Sequence, residues 1–281
     1  MAEPIRIPDV VLNDGQPFSE LGFGTYTLTG DEGIAAMQTA IGNGYRVLDT
    51  AVNYGNEREV GEAVRRSGAP REQVLVTTKV PGRHHGFEES IASGIESNET
   101  LGLDYIDLLL IHWPNPSVGK YVDTYRGLVE LRERGIVRSV GVSNFTIEML
   151  GEVIDATGVV PAVHQIELHP YFPQSELRAF HAEHGIRTES WSPLGRSRGE
   201  LLEEESVVAL AEKYGVAPSQ LVLRWHTQLG ATPIPKSSNS DRQRENADVF
   251  GFDLDPDDIE QLLSLERGRL FDADPRTHEE M

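Results

Sequence analysis

Apolar residues fall along the chain in short blocks, each closed by a polar residue and followed by a stretch whose apolar positions recur at helical spacing. The short blocks predict strands at residues 21–24, 45–48, 74–78, 106–111, 137–142, 162–166, 187–190 and 231–234. The stretches between them predict helices near residues 33–43, 57–67, 88–101, 121–134, 147–156, 174–184 and 206–214. A further helix at 219–228 precedes the last strand, and two more, at 241–247 and 256–265, follow it. Ahead of this alternation, residues 7–11, the triplet Asn13-Asp14-Gly15 and Phe18 read as a short hairpin closed by an Asp-Gly turn.

Blocks such as 106–111 are almost continuously apolar, which suits parallel strands buried on both faces. Strands alternating with helices in this number favour a (β/α)8 barrel over an open sheet, here with an N-terminal β-hairpin and extra helices near the C-terminus. No linker rich in Pro, Gly or Ser interrupts the alternation, so residues 1–281 are expected to form one domain. Strand after strand ends in a residue able to do chemistry: Tyr26, Asp49, Lys79, His112, Ser143-Asn144, Gln165, Trp191-Ser192 and Lys236-Ser237. A barrel of this type gathers the carboxyl ends of all its strands at one mouth, so residues dispersed over the chain would share one cleft.

Charge and composition narrow the possible partners. Lys and Arg number 25 against 45 Asp and Glu, a formal net charge of −20. Such a field repels phosphate backbones and anionic lipid surfaces, which argues against nucleic-acid and membrane partners. Cysteine is absent, which removes disulfides, thiolate metal sites and cysteine nucleophiles. The first residues lack a basic segment followed by an apolar run, and no stretch of roughly 18 apolar residues occurs. The expectation is a cytoplasmic chain.

Asp49, Tyr54, Lys79 and His112 make a coherent chemical set. Reduction of a carbonyl by hydride requires a proton for the oxygen as negative charge builds there. A phenol is a poor donor near neutrality, with an ordinary pKa of about 10. A neighbouring lysine ammonium lowers that value by stabilising the tyrosinate. The ammonium in turn resists burial unless paired, a role open to Asp49. An imidazole such as His112 can hydrogen-bond and orient the same carbonyl.

The run Asp49-Thr50-Ala51-Val52-Asn53-Tyr54-Gly55-Asn56-Glu57 resembles the signature loop of the aldo-keto reductases. Thr77-Thr78-Lys79, Leu110-Ile111-His112-Trp113-Pro114 and Gly141-Val142-Ser143-Asn144-Phe145 follow in that family's order. So do Gln165-Ile166-Glu167-Leu168-His169-Pro170, Trp191-Ser192-Pro193-Leu194-Gly195 and Ile234-Pro235-Lys236-Ser237. The resemblance runs from the hairpin to about Asp255 and points to bacterial members similar to diketogluconate reductases. It implies that Tyr54 is the general acid, tuned by Lys79 and Asp49, and that His112 positions a small-molecule carbonyl substrate. It further implies NADPH as cofactor. Ser143, Asn144 and Gln165 would meet the carboxamide and Trp191 the nicotinamide ring, while Lys236, Ser237 and Arg242 would take the 2′-phosphate. Glu245 and Asn246 would lie at the adenine, with Thr25, Ser192, Leu194 and Ser238 completing the cofactor site. Tyr26, His112 and Trp113 would wall the substrate pocket, the expected substrates being small aldehydes, α-dicarbonyls or keto-sugars. Relatives of this kind are often monomers. The alternative is a nicotinamide-binding regulatory module of the same fold with little turnover, which an assay of aldehyde-dependent NADPH oxidation separates.

Three departures stand out, one of them Arg244, where a smaller residue is usual. Many relatives carry Leu-Trp after the lysine, whereas Val80-Pro81-Gly82-Arg83-His84-His85 stands here, removing an aromatic pocket wall. His164 occupies a position where Asn is common. Gly22-Phe23-Gly24 lacks the third glycine of a dinucleotide fingerprint, and neither a phosphate-binding P-loop nor a Gly-x-Ser-x-Gly elbow occurs. His84, His85, His181 and His184 lack the spacing of a zinc site, so no metal is expected and they read as surface or capping residues. The lid over the pocket is expected from residues 115–120, 193–205 and 267–281.

Overall fold

The computed structural model describes residues 3–196 and 200–281. Its first feature is the antiparallel pair β1 (Asp9–Val11) and β2 (Pro17–Ser19), with Val10 opposite Phe18. The Asp14 carboxylate accepts from the Gln16 N–H at 3.1 Å and tightens the turn. Leu12 and Phe18 pack on Val47, Leu108 and Val163 near the strand starts, so the hairpin stoppers the floor of the barrel.

Eight parallel strands follow, each paired with the next: β3 (Phe23–Gly24), β4 (Val47–Asp49), β5 (Leu75–Val80), β6 (Ile106–Ile111), β7 (Val137–Ser143), β8 (Val163–Glu167), β9 (Arg187–Trp191) and β10 (Ala231–Pro233). The ends of the sheet meet: Gly22 N–H donates to the Pro233 carbonyl at 3.0 Å and Gly24 N–H to that of Pro235 at 3.1 Å. Glycine allows this closure, because a Cβ at position 22 would lie 2.8 Å from the Ile234 side chain. The expected barrel and hairpin are therefore the observed ones.

The outer helices are α1 (Gly30–Asn43), α2 (Glu57–Arg66), α3 (Phe87–Leu101), α4 (Tyr121–Glu133), α5 (Ile147–Thr157), α6 (Ser175–His184), α7 (Glu205–Tyr214), α8 (Pro218–Gln228), α9 (Ser240–Ala247) and α10 (Pro256–Leu263). Where starts matter to the mouth, side chains cap them: Thr146 accepts from the Met149 N–H and Asn239 from the Arg242 N–H. No described helix is long and apolar enough to cross a membrane.

Strand ends differ from expectation in one consistent way. β5, β7 and β9 run on to include Lys79, Ser143 and Trp191, and β8 runs past Gln165 to Glu167, so these residues belong to the strands and not to the first loop positions. Ladder pairing continues through them, as in Lys79 opposite Leu110 and Gln165 opposite Glu189, because their polar groups find partners inside the barrel.

The reading of the histidines as surface or capping residues fails for two of them. His181 and His85 are buried. His181 contacts His164 at 2.7 Å and Thr188 Oγ1 at 2.8 Å, while His164 Nε2 accepts from the Phe145 N–H at 2.9 Å. That bond leaves the His164 proton on Nδ1 for His181, and burial holds both rings neutral, His181 at about 3.

Candidate active site at the carboxyl end of the barrel

Lys79 is fully buried at the end of β5 and reaches across to β4. Its ammonium donates to both Asp49 oxygens, at 2.7 and 2.8 Å, and to the Thr50 carbonyl at 2.8 Å, which satisfies all three protons. Burial is the largest influence on Lys79 and disfavours the charge. The Asp49 carboxylate and the Tyr54 phenol together outweigh it, so its pKa lies above the ordinary lysine value. Opposite, the Gln165 amide donates to Asp49 at 2.8 Å and to Glu189 at 2.7 Å. Burial and the nearby Asp49 charge push the Glu189 carboxyl up to about 8. One ammonium, one carboxylate and one neutral carboxyl thus share a buried layer drawn from four strands.

Tyr54 sits on a single helical turn, Val52–Tyr54, directly after β4. The loop behind it is pinned by buried Asn56, which donates to the Thr25 and Leu28 carbonyls at 2.9 Å and accepts from Thr50 Oγ1 at 2.6 Å. The Lys79 ammonium lies 5.0 Å from the centre of the Tyr54 ring. Tyr26 and His112 approach the same ring edge-on at 5.1 and 5.8 Å. Burial raises the phenol pKa more than Lys79 lowers it, so the net direction is upward. The ammonium acts as expected, yet desolvation is the stronger influence. His112 is pulled below the ordinary imidazole value by burial, opposed by Glu280, whose carboxylate lies 3.1 Å from Nδ1 without hydrogen-bond alignment.

A cavity of about 570 Å³ opens beside this layer. Of the residues expected from sequence, Tyr26, Asp49, Tyr54, Trp191, Ser192, Leu194, Lys236 and Arg242 line it together. Trp191 is fixed by an indole N–H donated to Asn144 Oδ1 at 2.7 Å, and Asn144 donates to the His112 carbonyl at 3.0 Å. The remaining expected residues lie around the cavity and not on its wall. Ser143 donates to the Gln165 carbonyl and Thr25 to that of Asp49, both at 2.9 Å, behind the inner end. Asn144 faces a second cavity of about 510 Å³ between the starts of α5 and α6. Ser237, Ser238, Glu245 and Asn246 lie on or before α9, where Glu245 accepts from Ser219 at 2.8 Å. Trp113 packs against His278 at 4.2 Å. Arg244 turns away and donates to the Glu3 carbonyl at 3.0 Å.

The cavity wall suits a dinucleotide phosphate. The Ser192 hydroxyl is buried without a protein partner, at a residue held at φ 51°. Lys236 and Arg242 are exposed on the cavity rim. An aromatic face, an unsatisfied hydroxyl and two cations are what a ring followed by phosphates requires. Among the described residues no cluster of His, Asp and Glu is arranged to hold a metal.

Four residues at this mouth escape sequence reasoning. Glu189 lies in the middle of β9, where nothing local distinguishes it from a solvent-facing strand residue. The Arg196 guanidinium reaches the rings of Tyr26 and Phe271, at 5.0 and 5.3 Å, and Phe271 approaches Trp191 at 5.1 Å. Glu280 comes from the last residues of the chain. Of the segments expected to form a lid, 193–205 gives Leu194, Arg196 and Leu202 to the cavity wall, with residues 197–199 outside the described residues, and the tail reaches Trp191 through Phe271 and His112 through Glu280. The tail is tied down by Glu167, whose Oε1 accepts from the Leu270 N–H at 2.7 Å and lies 3.1 Å from His169 Nε2.

Comparison with known proteins gives a consistent match. The model of the Aldo/keto reductase family matches residues 20–267. The chain is 64% identical over 276 residues to 2,5-diketo-D-gluconic acid reductase B of Corynebacterium sp. (strain SHS752001), covering 98% of this chain and 99% of that one. A Gox0644 mutant solved in complex with NADPH superposes with a TM-score of 0.91 at 43% identity, covering 97% and 99% of the two chains. An aldo-keto reductase of Bombyx mori in complex with NADP gives 0.90 at 32% identity, covering 98% of each.

Proposed function

The chain belongs to the aldo/keto reductase family and is an oxidoreductase, and from that premise we propose that it reduces aldehydes and ketones to alcohols with NADPH, Tyr54 giving the proton. The observation that carries the reading is the Lys79 ammonium, buried, neutralised by Asp49 and set 5.0 Å from the Tyr54 ring. A phenol loses its proton more easily beside a fixed cation, and the cation is available here only because a carboxylate holds it in the barrel.

When bound, NADPH supplies a hydride to the carbonyl carbon. Tyr54 O–H gives its proton to the carbonyl oxygen, Lys79 stabilises the tyrosinate left behind, and a solvent proton restores the phenol. His112 donates a second hydrogen bond to the same oxygen and fixes the carbonyl's orientation. Trp191 would hold the nicotinamide ring, and Ser143, Asn144 and Gln165 its carboxamide. Lys236, Ser237 and Arg242 would hold the 2′-phosphate and Glu245 and Asn246 would meet the adenine, with Thr25, Ser192, Leu194 and Ser238 completing the cofactor site. Tyr26 and Trp113 wall the substrate side. The name of the 64% identical relative supports keto-sugar acids as the first substrates to try, ahead of small aldehydes and α-dicarbonyls.

The test is Tyr54→Phe, assayed by NADPH absorbance against a panel of carbonyls. Cofactor binding is expected to persist while reduction drops by about 10²–10⁴-fold, as for loss of a general acid. Undiminished turnover in that variant rules out Tyr54 as the donor.

A further inference from the structure

The matched family segment ends at residue 267, and the residues beyond it return to the mouth of the barrel. There the chain's penultimate residue is clamped. Glu280 N–H donates to buried Asn115 Oδ1 at 3.1 Å, and its carbonyl accepts from the Asn115 amide. Glu279 accepts from the Ser117 N–H at 2.9 Å, and the His278 ring packs on Trp113. Gly82, in the segment that replaces the Leu-Trp of many relatives, makes room for this clamp. A Cβ there would fall 1.7 Å from Asn115 Nδ2 and 2.1 Å from the Glu280 carbonyl oxygen.

The clamp delivers the Glu280 side chain to a set of nitrogen donors. Its carboxylate accepts from the Asn53 amide and, at 3.4 Å, from the Gly82 N–H, and stands 3.1 Å from His112 Nδ1. Both side chains are largely shielded, His112 being 13% and Glu280 17% exposed. A carboxylate at that depth needs a cationic or donating partner, and His112 is the titratable one.

We propose that Glu280 is a positioning residue for His112, its carboxylate beside Nδ1 stabilising the doubly protonated ring, in which Nε2–H is free to donate to the carbonyl oxygen. The proposal rests on the reading above that His112 meets the substrate. The charges facing the imidazole are few. Lys79 disfavours its protonation from the barrel side, Asp49 favours it from behind Lys79, and Glu280 favours it from the tail. Tyr54 adds a ring edge, and His85, under the same tail, is held neutral at about 4 by burial. The tail is therefore what extends the pH range over which His112 carries both ring protons.

The experiment compares the full-length wild-type, Glu280→Gln and Glu280→Asp proteins, each with and without NADP+. The His112 ring is titrated by NMR, assigned against His112→Asn, and the pH profile of kcat/KM is measured alongside. With Gln, the His112 titration and the alkaline fall-off of kcat/KM are expected to move together, about one pH unit lower, the scale of removing one adjacent opposite charge. Asp is expected to keep most of the wild-type value, and NADPH affinity to stay unchanged in both. Coincident titrations for wild type and Gln overturn the proposal, as does a Gln profile lowered uniformly without a shift. The titration needs no turnover, so it decides the role of Glu280 even if Tyr54→Phe and His112→Asn remain active and the catalytic reading falls.

Discussion

The inner layer of the mouth and its outer rim hold the same kinds of residue under opposite conditions. Inside, Lys79, Asp49, Gln165 and Glu189 are buried and tied to one another by hydrogen bonds of 2.7–2.8 Å. At the rim, Lys236 and Arg242 are exposed and line the cavity. A charge in the first setting cannot be removed without stranding its partner, so one substitution damages stability and chemistry together. In the second, water already screens the side chain, and its loss is felt only when a ligand needs it.

Lys79→Met should show the largest effect. It strands the Asp49 carboxylate in the barrel, at a cost of about 3–5 kcal/mol in thermal or urea unfolding. It should also abolish measurable carbonyl reduction. The double variant Lys79→Met/Asp49→Asn sharpens the point: stability should largely return, because no unpaired charge remains, while reduction stays lost. Recovery of activity in the double variant would break the link between the ion pair and Tyr54.

At the rim, Lys236→Ala and Arg242→Ala should each raise the KM for NADPH by about 10–100-fold, the scale of one charge-assisted hydrogen bond. The KM for NADH, kcat at saturation and the melting temperature should stay close to wild type. A matching loss with NADH would move these residues away from the 2′-phosphate.

Glu189 offers the smallest effect and tests whether the inner layer is adapted to one protonation state. Its carboxyl is held up at about 8 by burial and the nearby Asp49, against about 4.5 in the unfolded chain. Between those values the folded protein keeps a proton that the unfolded chain has released. The stabilising contribution is therefore full below the unfolded value and is lost as pH rises through the folded one. Glu189→Gln removes this dependence. Its melting temperature should fall several degrees less than that of the wild type as pH is raised across that window.

How much of this was legible varies with the physical origin of each feature. The eight barrel strands and the ten helices among the described residues follow the alternation of apolar blocks and helical spacings, because burial on two faces or on one stripe leaves a periodic trace in any chain. That Asp49, Tyr54, Lys79 and His112 meet at one mouth was legible from their places at or just after strand ends, which a barrel gathers together. His181 shows the opposite case. It lies four positions after buried Leu177 on α6, but the partners that accept it there, His164 and Thr188, come from other elements and are brought to it only by the fold.

The amino-acid order by itself determined the barrel, its hairpin stopper and the identity of the residues at its mouth, because local propensity and hydrophobic period act over a few residues at a time. Tertiary structure alone decided which charges are buried together and which face water. Glu189 becomes a neutral acid only because the barrel buries it and brings the Asp49 charge from β4 near it, against the hydrogen bond from Gln165 on β8. Glu280 comes to face His112 only because Gly82 leaves room for the end of the chain, 198 residues further on, to lie against it. Solvation and electrostatics depend on distance in space, and no pattern along a chain records it.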